Sequence, residues 1–436
     1  MKPMPVHDTT PRLTERAALV GLATGSVRRD DAERSLDELA GLARAAGGDV
    51  VLRLIQERAR RDPATCIGAG KVLELKAACD ELDVDVVVFD MELSPAQLGQ
   101  LERRLERKVI DRTQLILDIF ARRARTREGK WQVELAQLQY LLPRLAGSGA
   151  ALSRLGGGIG TRGPGETKLE TDRRRIRTRI QAIAQEIDQV RRRRSQLRDR
   201  RQKHAVPVVV LVGYTNAGKT TLFNRLTNAG AVASDALFVT LDPLTRRVSL
   251  PGRGALLVSD TVGFIDRLPH ALVAAFRATL EEVAEADLML HVIDAAQPER
   301  ERHEQAVRRV LDEVGATDVP TIDVYNKIDL LDDDERAQLA RVHPDASLIS
   351  AGDGTAIEAL LQRVAGRLGQ DARHVVLVFD EASASDRRVL AEIYREATVL
   401  SHEVSDGRIV VEAEMPSRLA ERLTRQAARE EAHGAA

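Results

Sequence analysis

"VVVLVGYTNAGKTTLFNRLT", Val208 to Thr227, is the stretch on which the reading of this chain turns. VVVLV is a buried-strand run and LFNRLT has helical character, so the residues between them join a strand to a helix. That junction, Gly213-Tyr214-Thr215-Asn216-Ala217-Gly218-Lys219-Thr220, matches the pattern G-x-x-x-x-G-K-[ST] in the context the pattern requires. Glycines there let backbone N–H groups turn inward around phosphate oxygens at a helix N-terminus. Lys219 is placed to neutralise charge on the β- and γ-phosphates, and the Thr220 hydroxyl to bind Mg²⁺. Further strand-like runs follow (ALLVSD, LMLHVID, TIDVYN and SLIS), most of them separated by helical segments. A doubly wound α/β domain is expected over roughly 206–370.

The base is read from Asn326-Lys327-Ile328-Asp329, which follows the strand TIDVY. A carboxylate at Asp329 can accept both N1–H and the exocyclic N2–H₂ of guanine, a pair that adenine does not offer. A site built for such pairing leaves its carboxylate unpaired with the wrong base, and mismatches of that kind discriminate by about 10⁴–10⁵-fold. Ser350-Ala351-Gly352 is a weaker companion, where a backbone amide reaching guanine O6 and an ordinary turn are equally good readings.

Between these motifs lie the expected γ-phosphate sensors. Asp260-Thr261-Val262-Gly263 ends the strand ALLVSD, with Asp260 holding Mg²⁺ through water and the Gly263 N–H meeting the γ-phosphate. Upstream, Phe238-Val239-Thr240-Leu241-Asp242-Pro243 offers Thr240 as a second Mg²⁺ hydroxyl. Lys219, Thr240 and Gly263 are therefore the expected catalytic set. Phe264 stands where many GTPases carry the glutamine that orients the attacking water, so intrinsic hydrolysis is expected to be slow without help. Asn216 resembles the asparagine of several potassium-activated GTPases, which makes K⁺ a second candidate ion beside Mg²⁺.

Outward from the phosphate loop, the segment before it is unusual. Eight of the nineteen residues from Gly147 to Gly165 are glycine, and from Arg173 to Lys203 thirteen Lys/Arg face three acids. Trp131, Leu135, Leu138, Leu142 and Leu145 are spaced 4, 3, 4, 3, as are Ile176, Ile180, Ile183, Ile187 and Val190. Two such stripes flanking one loop can bury each other as an antiparallel helical hairpin with arms on the order of 30–45 Å. The hairpin is expected over 113–205 with a glycine-rich tip at 146–167, and the tip reads equally as a probe or as a disordered crossover. Residues 17–112 alternate strand and helix patterns and predict a small parallel α/β domain, with Ser94-Pro95 as a helix start. HVVLVFD, VLAEIYREA and GRIVVEAEMP predict a small α+β module over 371–428. Residues 1–16 and 429–436 are expected to be disordered tails.

The whole chain of 436 residues has a formal net charge of −1, which hides this segregation. Cys66 and Cys79 show no zinc-ligand or CxxC spacing, so they read as structural thiols of a cytosolic protein. No stretch reaches the roughly 18 apolar residues of a membrane span. A cytoplasmic location is expected by exclusion.

With these motifs in place the chain resembles the HflX family of ribosome-associated GTPases, in the Obg–HflX group. The resemblance extends beyond the phosphate loop to LSPAQLGQLERRL, KVIDRTQLILDIFARRARTREGKWQVELAQLQYLLPRL, GGGIGTRGPGETKLETDRRRIR and FVTLDPLTR, and covers about 17–370. It implies an N-terminal α/β domain, a long helical hairpin, a P-loop GTPase domain and a small C-terminal domain. It also implies binding to the large ribosomal subunit and its 23S rRNA, with the hairpin tip reaching toward the peptidyl-transferase centre, and the splitting or rescue of ribosomes under stress; separately, a monomer is expected. Arg162, Lys168, Arg173, Arg174 and Arg175 would then contact RNA phosphates or bases. Two classes of function are weighed: a GTP-hydrolysing switch on the ribosome, and an RNA-binding module whose GTP site is only a sensor. A tRNA-modifying or membrane-remodelling GTPase is disfavoured, because no additional catalytic cluster or amphipathic membrane segment is evident.

Overall fold

Continuous apolar runs alternating with helical patterns give strands buried on both faces, the mark of a parallel sheet covered by helices. A computed structural model describes residues 14–423 apart from 26, 153–163, 203–205, 231–236, 239, 251–254, 267–282, 370–371, 381–382, 406 and 417–418. The chain divides into two units: 1–191 with 234–241 and 268–276, and 192–233 with 242–267 and 277–436.

The first unit is built on β1 (Arg16–Ala23), β2 (Asp49–Glu57), β3 (Val86–Phe89) and β4 (Lys108–Asp111), in the order β2-β1-β3-β4. Every pairing is parallel. β1 starts at Arg16, inside the stretch expected to be a tail, because its backbone is tied to β2 there. Helices α1 (Arg29–Ala45), α2 (Ala69–Glu81), α3 (Pro95–Leu105) and α4 (Arg112–Arg123) connect and follow the strands. Leu75, Cys79, Leu101 and Leu105 from α2 and α3 pack with Val20, Val87 and Phe89 of the sheet. Ser94 caps α3 as expected: its side chain accepts from the Gln97 amide, and the Gln97 side chain reaches back to the Ser94 amide. Both cysteines are free and buried, and burial pushes the Cys79 thiol up to about 11, the behaviour of a packing residue rather than a reactive one.

α4 lies within 113–205, where the hairpin was expected. Its buried residues Leu115, Ile116, Ile119 and Phe120 instead give it an apolar face of its own, and it makes contacts with β3, β4 and α1. The long helices are α5 (Arg127–Leu152) and α6 (Pro164–Gln202). They shorten the expected tip: Gly147 and Gly149 lie in α5 and Gly165 in α6. Glycine costs a helix only about 1 kcal/mol relative to alanine, and the alanines at 146, 150 and 151 favour continuation. The rest of that loop, Arg162 included, lies outside the described residues. Arg179 of α6 donates from Nε and Nη2 to both carboxylate oxygens of Glu134 of α5, at 2.7 and 2.8 Å, so the helices lie side by side at that level. Ile183 and Ile187 are the buried members of the α6 stripe, and Leu135 is buried on α5.

α5 is fastened to the sheet by a buried polar knot. Asp111, wholly buried at the end of β4, accepts from the amides of Leu93 and Gln114, the Tyr140 hydroxyl at 2.8 Å and Arg144 at 3.1 Å. Burial, reinforced by the Asp111 charge, raises the pKa of the Tyr140 hydroxyl above its ordinary value. Arg112 beside it is equally buried and pairs with Asp90 at 2.9 Å and with Glu38.

The second unit holds a six-stranded sheet in the order β10-β9-β8-β5-β7-β6. Its strands are β5 (Val208–Gly213), β6 (Leu244–Ser249), β7 (Ala255–Asp260), β8 (Leu288–Asp294), β9 (Thr321–Asn326) and β10 (Ser347–Leu348). β6, which the sequence reading passed over, is an antiparallel edge strand on β7; the other pairings are parallel. Its run LTRRVS alternates poorly and carries two arginines, a composition that suits an edge. The helices α7 (Lys219–Thr227), α8 (Arg300–Glu313), α9 (Asp333–Val342) and α10 (Ile357–Arg367) complete the layer. A three-stranded antiparallel sheet follows, β11 (Ala372–Asp380), β12 (Thr398–Ser405) and β13 (Arg408–Pro416), in the order β11-β13-β12, with α11 (Ala384–Glu396). β12, TVLSHEVS, was not foreseen, because half-exposed polar and apolar residues give it little periodicity.

Candidate nucleotide site

β5 lies between β7 and β8, and its carboxyl end opens where the chain leaves toward opposite faces of the sheet, the place where open α/β sheets bind ligands. Three glycines are required there by contact. A Cβ on Gly213 (φ 153°) would lie 2.2 Å from the Val292 carbonyl oxygen. One on Gly218 (φ 91°) would lie 2.2 Å from Asn326 Nδ2, and one on Gly263 would lie 2.8 Å from Thr215 Cγ2. Asn216 takes a left-handed φ of 62°, which asparagine tolerates better than most residues. Loop and helix therefore form a backbone-lined cradle at the start of α7, with Ala217 buried beneath it. Buried in that cradle, the Thr215 hydroxyl has no hydrogen-bond partner, so it has capacity for a ligand oxygen.

Lys219 is buried at the first position of α7. Its ammonium donates to the carbonyls of Gly213 at 3.0 Å and Tyr214 at 2.7 Å. Burial pulls its pKa down to about 8, with only partial compensation from Asp260. An anion bound in the cradle would supply the missing counter-charge. Thr220 donates from Oγ1 to Asp260 Oδ2 at 2.8 Å, so two of the three residues expected around Mg²⁺ lie together. No group of three or more His, Cys, Asp or Glu side chains could hold a metal among the described residues. That donor set fits an ion held by hydroxyls, water and substrate phosphates rather than by an all-protein cage. Thr261 anchors the strand end by donating to the Leu211 carbonyl at 2.7 Å, and Val262 is buried.

The guanine motif comes to the same edge. Asn326, 2 % exposed, donates from Nδ2 to the Ala217 carbonyl and accepts the Ala351 amide on Oδ1, both at 2.9 Å. It thereby couples the phosphate loop to Ser350-Ala351-Gly352. Lys327 adopts φ 65° and pairs with Asp294 at 2.7 Å. Ile328 and Asp329 lie in a 3₁₀ turn, with the Asp329 side chain exposed. The Ala351 N–H, expected as one candidate donor to a base, is engaged by Asn326. Arg225 of α7 holds the loop from behind, donating to the Ala351 carbonyl at 3.2 Å and to that of Gly352.

Not every predicted site residue is brought to this edge of the second unit. Phe238, Thr240 and Leu241 group with the first unit, Asp242 with the second, and Val239 lies outside the described residues. Phe238 is buried at φ 57° with its ring edge-on to Phe120 at 4.7 Å. Of the residues expected to meet RNA, Arg174 and Arg175 on α6 are exposed and Arg173 is partly buried; the Lys168 side chain lies outside the described residues. Arg174, Arg175, Thr178 and Arg179 line one groove on that helix.

Sequence reasoning missed four contributors: Asp294, Arg225, and the α8 neighbours Arg302 and His303. Asp294 could have been found as an acid closing the strand LMLHVID. The others sit in helices whose spacing says nothing about a loop far away in the chain.

A Gly-lined phosphate cradle with a buried lysine, a hydroxyl–carboxylate pair and an Asn-Lys-x-Asp turn define a P-loop GTPase. Three family models match: GTP-binding GTPase N-terminal over 33–121, GTP-binding GTPase middle region over 123–201, and 50S ribosome-binding GTPase over 208–327. GTPase HflX of Caldanaerobacter subterraneus subsp. tengcongensis is 45% identical, covering 94% of this chain and 93% of the relative. GTPase HflX of Escherichia coli K12 is also 45% identical, over 89% and 91%. That of Alkalihalophilus pseudofirmus reaches 52% over 74% and 76%. The chain belongs to the HflX family of GTPases, and it hydrolyses GTP. No described helix is long and apolar enough to cross a membrane.

Proposed function

We propose that this protein is a cytoplasmic, monomeric GTPase that binds the large ribosomal subunit and splits or rescues stalled ribosomes under stress. The observation that carries the reading is a guanine-type P-loop site in the same chain as two long adjacent helices, one of them strongly basic. It is supported by the family model described as a 50S ribosome-binding GTPase. In this reading α5 and α6 form an arm whose glycine-rich tip enters 23S rRNA, with Arg162, Lys168, Arg173, Arg174 and Arg175 meeting phosphates or bases.

GTP is held by the cradle from Gly213 to Thr220, and its guanine by Asn326, Asp329 and the amide at Gly352. Mg²⁺ would be held by the Thr220 hydroxyl with Asp260 behind water, Thr240 being the second hydroxyl expected from the sequence, and would neutralise phosphate charge. K⁺, if used, is held at Asn216. Lys219 donates to the phosphates, and Gly263 N–H senses the γ-phosphate. Phe264 is 2 % exposed, so its side chain is withdrawn from any attacking water. Slow turnover alone and stimulation by ribosomes are therefore expected.

The test is co-sedimentation with 50S and 70S particles in GTP, GDP and a non-hydrolysable analogue, with turnover measured alongside. GTP-dependent pelleting and ribosome-stimulated turnover are expected; nucleotide-independent pelleting or unstimulated turnover refutes the reading. Replacing 156–165 by a short neutral linker should spare basal turnover and weaken ribosome binding. Exchanging K⁺ for Na⁺ should slow turnover if Asn216 holds the cation.

A further inference from the structure

Phe264 raises a physical problem for the hydrolysis this chain performs. With no water-orienting side chain after Gly263, the backbone of 263–266 must itself be held in register with the phosphate loop. The second unit shows what holds it. Phe264 forms a parallel bridge with Tyr214: the Thr215 amide donates to the Phe264 carbonyl at 2.7 Å, and the Phe264 amide donates to the Gly213 carbonyl at 3.1 Å. Two residues on, the Asp266 amide donates to the Tyr214 hydroxyl at 2.7 Å. α8 then grips both partners of that bond. Arg302 donates to Asp266 Oδ2 from Nη2 at 2.6 Å and from Nε at 3.2 Å. His303 stacks on the Tyr214 ring with centroids 3.7 Å apart and planes within 5°.

We infer that Arg302 and His303 are positioning residues for GTP hydrolysis, which lock the segment after Gly263 to the phosphate loop through Asp266 and Tyr214. They act through the two groups they hold, Asp266 and Tyr214. A stacked ring fixes orientation, and two guanidinium donors on one carboxylate oxygen fix distance. Orientation is what a backbone amide needs if it is to meet developing charge without reorganising. Both residues are only partly buried, so replacing them removes a contact without opening the core.

The experiment uses the full chain and its own GTPase reaction, with ribosomes absent, so that it stands apart from the ribosomal reading above. R302A, H303A, R302K and H303F are compared by kcat, KM for GTP, GDP affinity and thermal unfolding. R302A and H303A should each lower kcat by about five- to twentyfold, since small misplacements cost that much or more, while KM and GDP affinity stay within about twofold. H303F, which keeps the stacked ring and loses the ring nitrogens, should recover most of the H303A loss; R302K should recover little, because an ammonium cannot make the two-point contact. The inference is overturned if kcat in R302A and H303A is unchanged or raised, or if kcat and GDP affinity fall together with the unfolding temperature. It is also overturned if H303F is no better than H303A.

Discussion

Two sheets in this protein, one wholly and one mostly parallel, end in the same kind of crevice and treat it in opposite ways. In the first unit the carboxyl ends of β3 and β4 carry Asp90 and Asp111, and the chain closes over them. Arg112 pairs with Asp90 and Glu38, while Tyr140, Arg144 and two amides saturate Asp111. In the second unit the carboxyl end of β5 holds Lys219 against two carbonyls and little else. The fold supplies the crevice in both; the charge balance within it decides whether protein or ligand fills it. A buried ion pair already satisfied has nothing to gain from a ligand, whereas a buried cation with a depressed pKa does.

The comparison can be broken first at Lys219. Lys219→Ala should remove measurable turnover and weaken GDP binding by more than about a hundredfold, as loss of a buried charge-assisted contact costs several kcal/mol. Retained turnover would mean the open crevice does not depend on its cation. Next is Arg112→Ala, which strands Asp90 and Glu38 and should destabilise the chain by about 3–5 kcal/mol, read by denaturant unfolding, with GDP affinity unchanged. A smaller effect follows from the depressed Lys219 pKa. Without ligand the ammonium deprotonates above about pH 8, whereas phosphate holds the proton on. Binding then takes up a proton at pH 8 to 10, and GDP affinity falls by up to about tenfold per pH unit in that window and is flat below it. Calorimetry in buffers of different ionisation enthalpy reads that proton directly; zero uptake at pH 9 would refute the assignment. Smallest is Ser94→Ala, which removes the α3 cap and should cost about 1 kcal/mol with no change in turnover.

Much of the second unit was legible in advance because its chemistry is contiguous. The run from Gly213 to Thr220 carries its own strand, loop and helix signals, and Asn326 to Asp329 closes a strand. What escaped were contacts made across sequence distance. Arg225 on the Ser350–Gly352 loop, Lys327 on Asp294, and Arg302 and His303 on 263–266 leave no local mark, because each sits in a helix or turn that is ordinary by itself. β6 and β12 escaped for a related reason: an edge strand needs no strong apolar alternation when one side faces water.

In the first unit the sequence displayed both heptad stripes and left their use open. The Glu134–Arg179 pair brings α5 and α6 together, and the Asp111 knot fixes α5 to the sheet, neither of which periodicity can state. Periodicity reports which face of a helix is apolar, and neither an exposed ion pair nor a buried one is apolar on any scale.

By itself, the sequence determined the family, the nucleotide class and most of the succession of strands and helices, since these follow from short-range pattern and from glycines that backbone geometry demands. Only the tertiary structure decided which crevice stays open, because that depends on whether charges distant in the chain meet and cancel. It alone also placed α8 behind the phosphate loop, where two residues without any sequence signal hold the segment that follows Gly263.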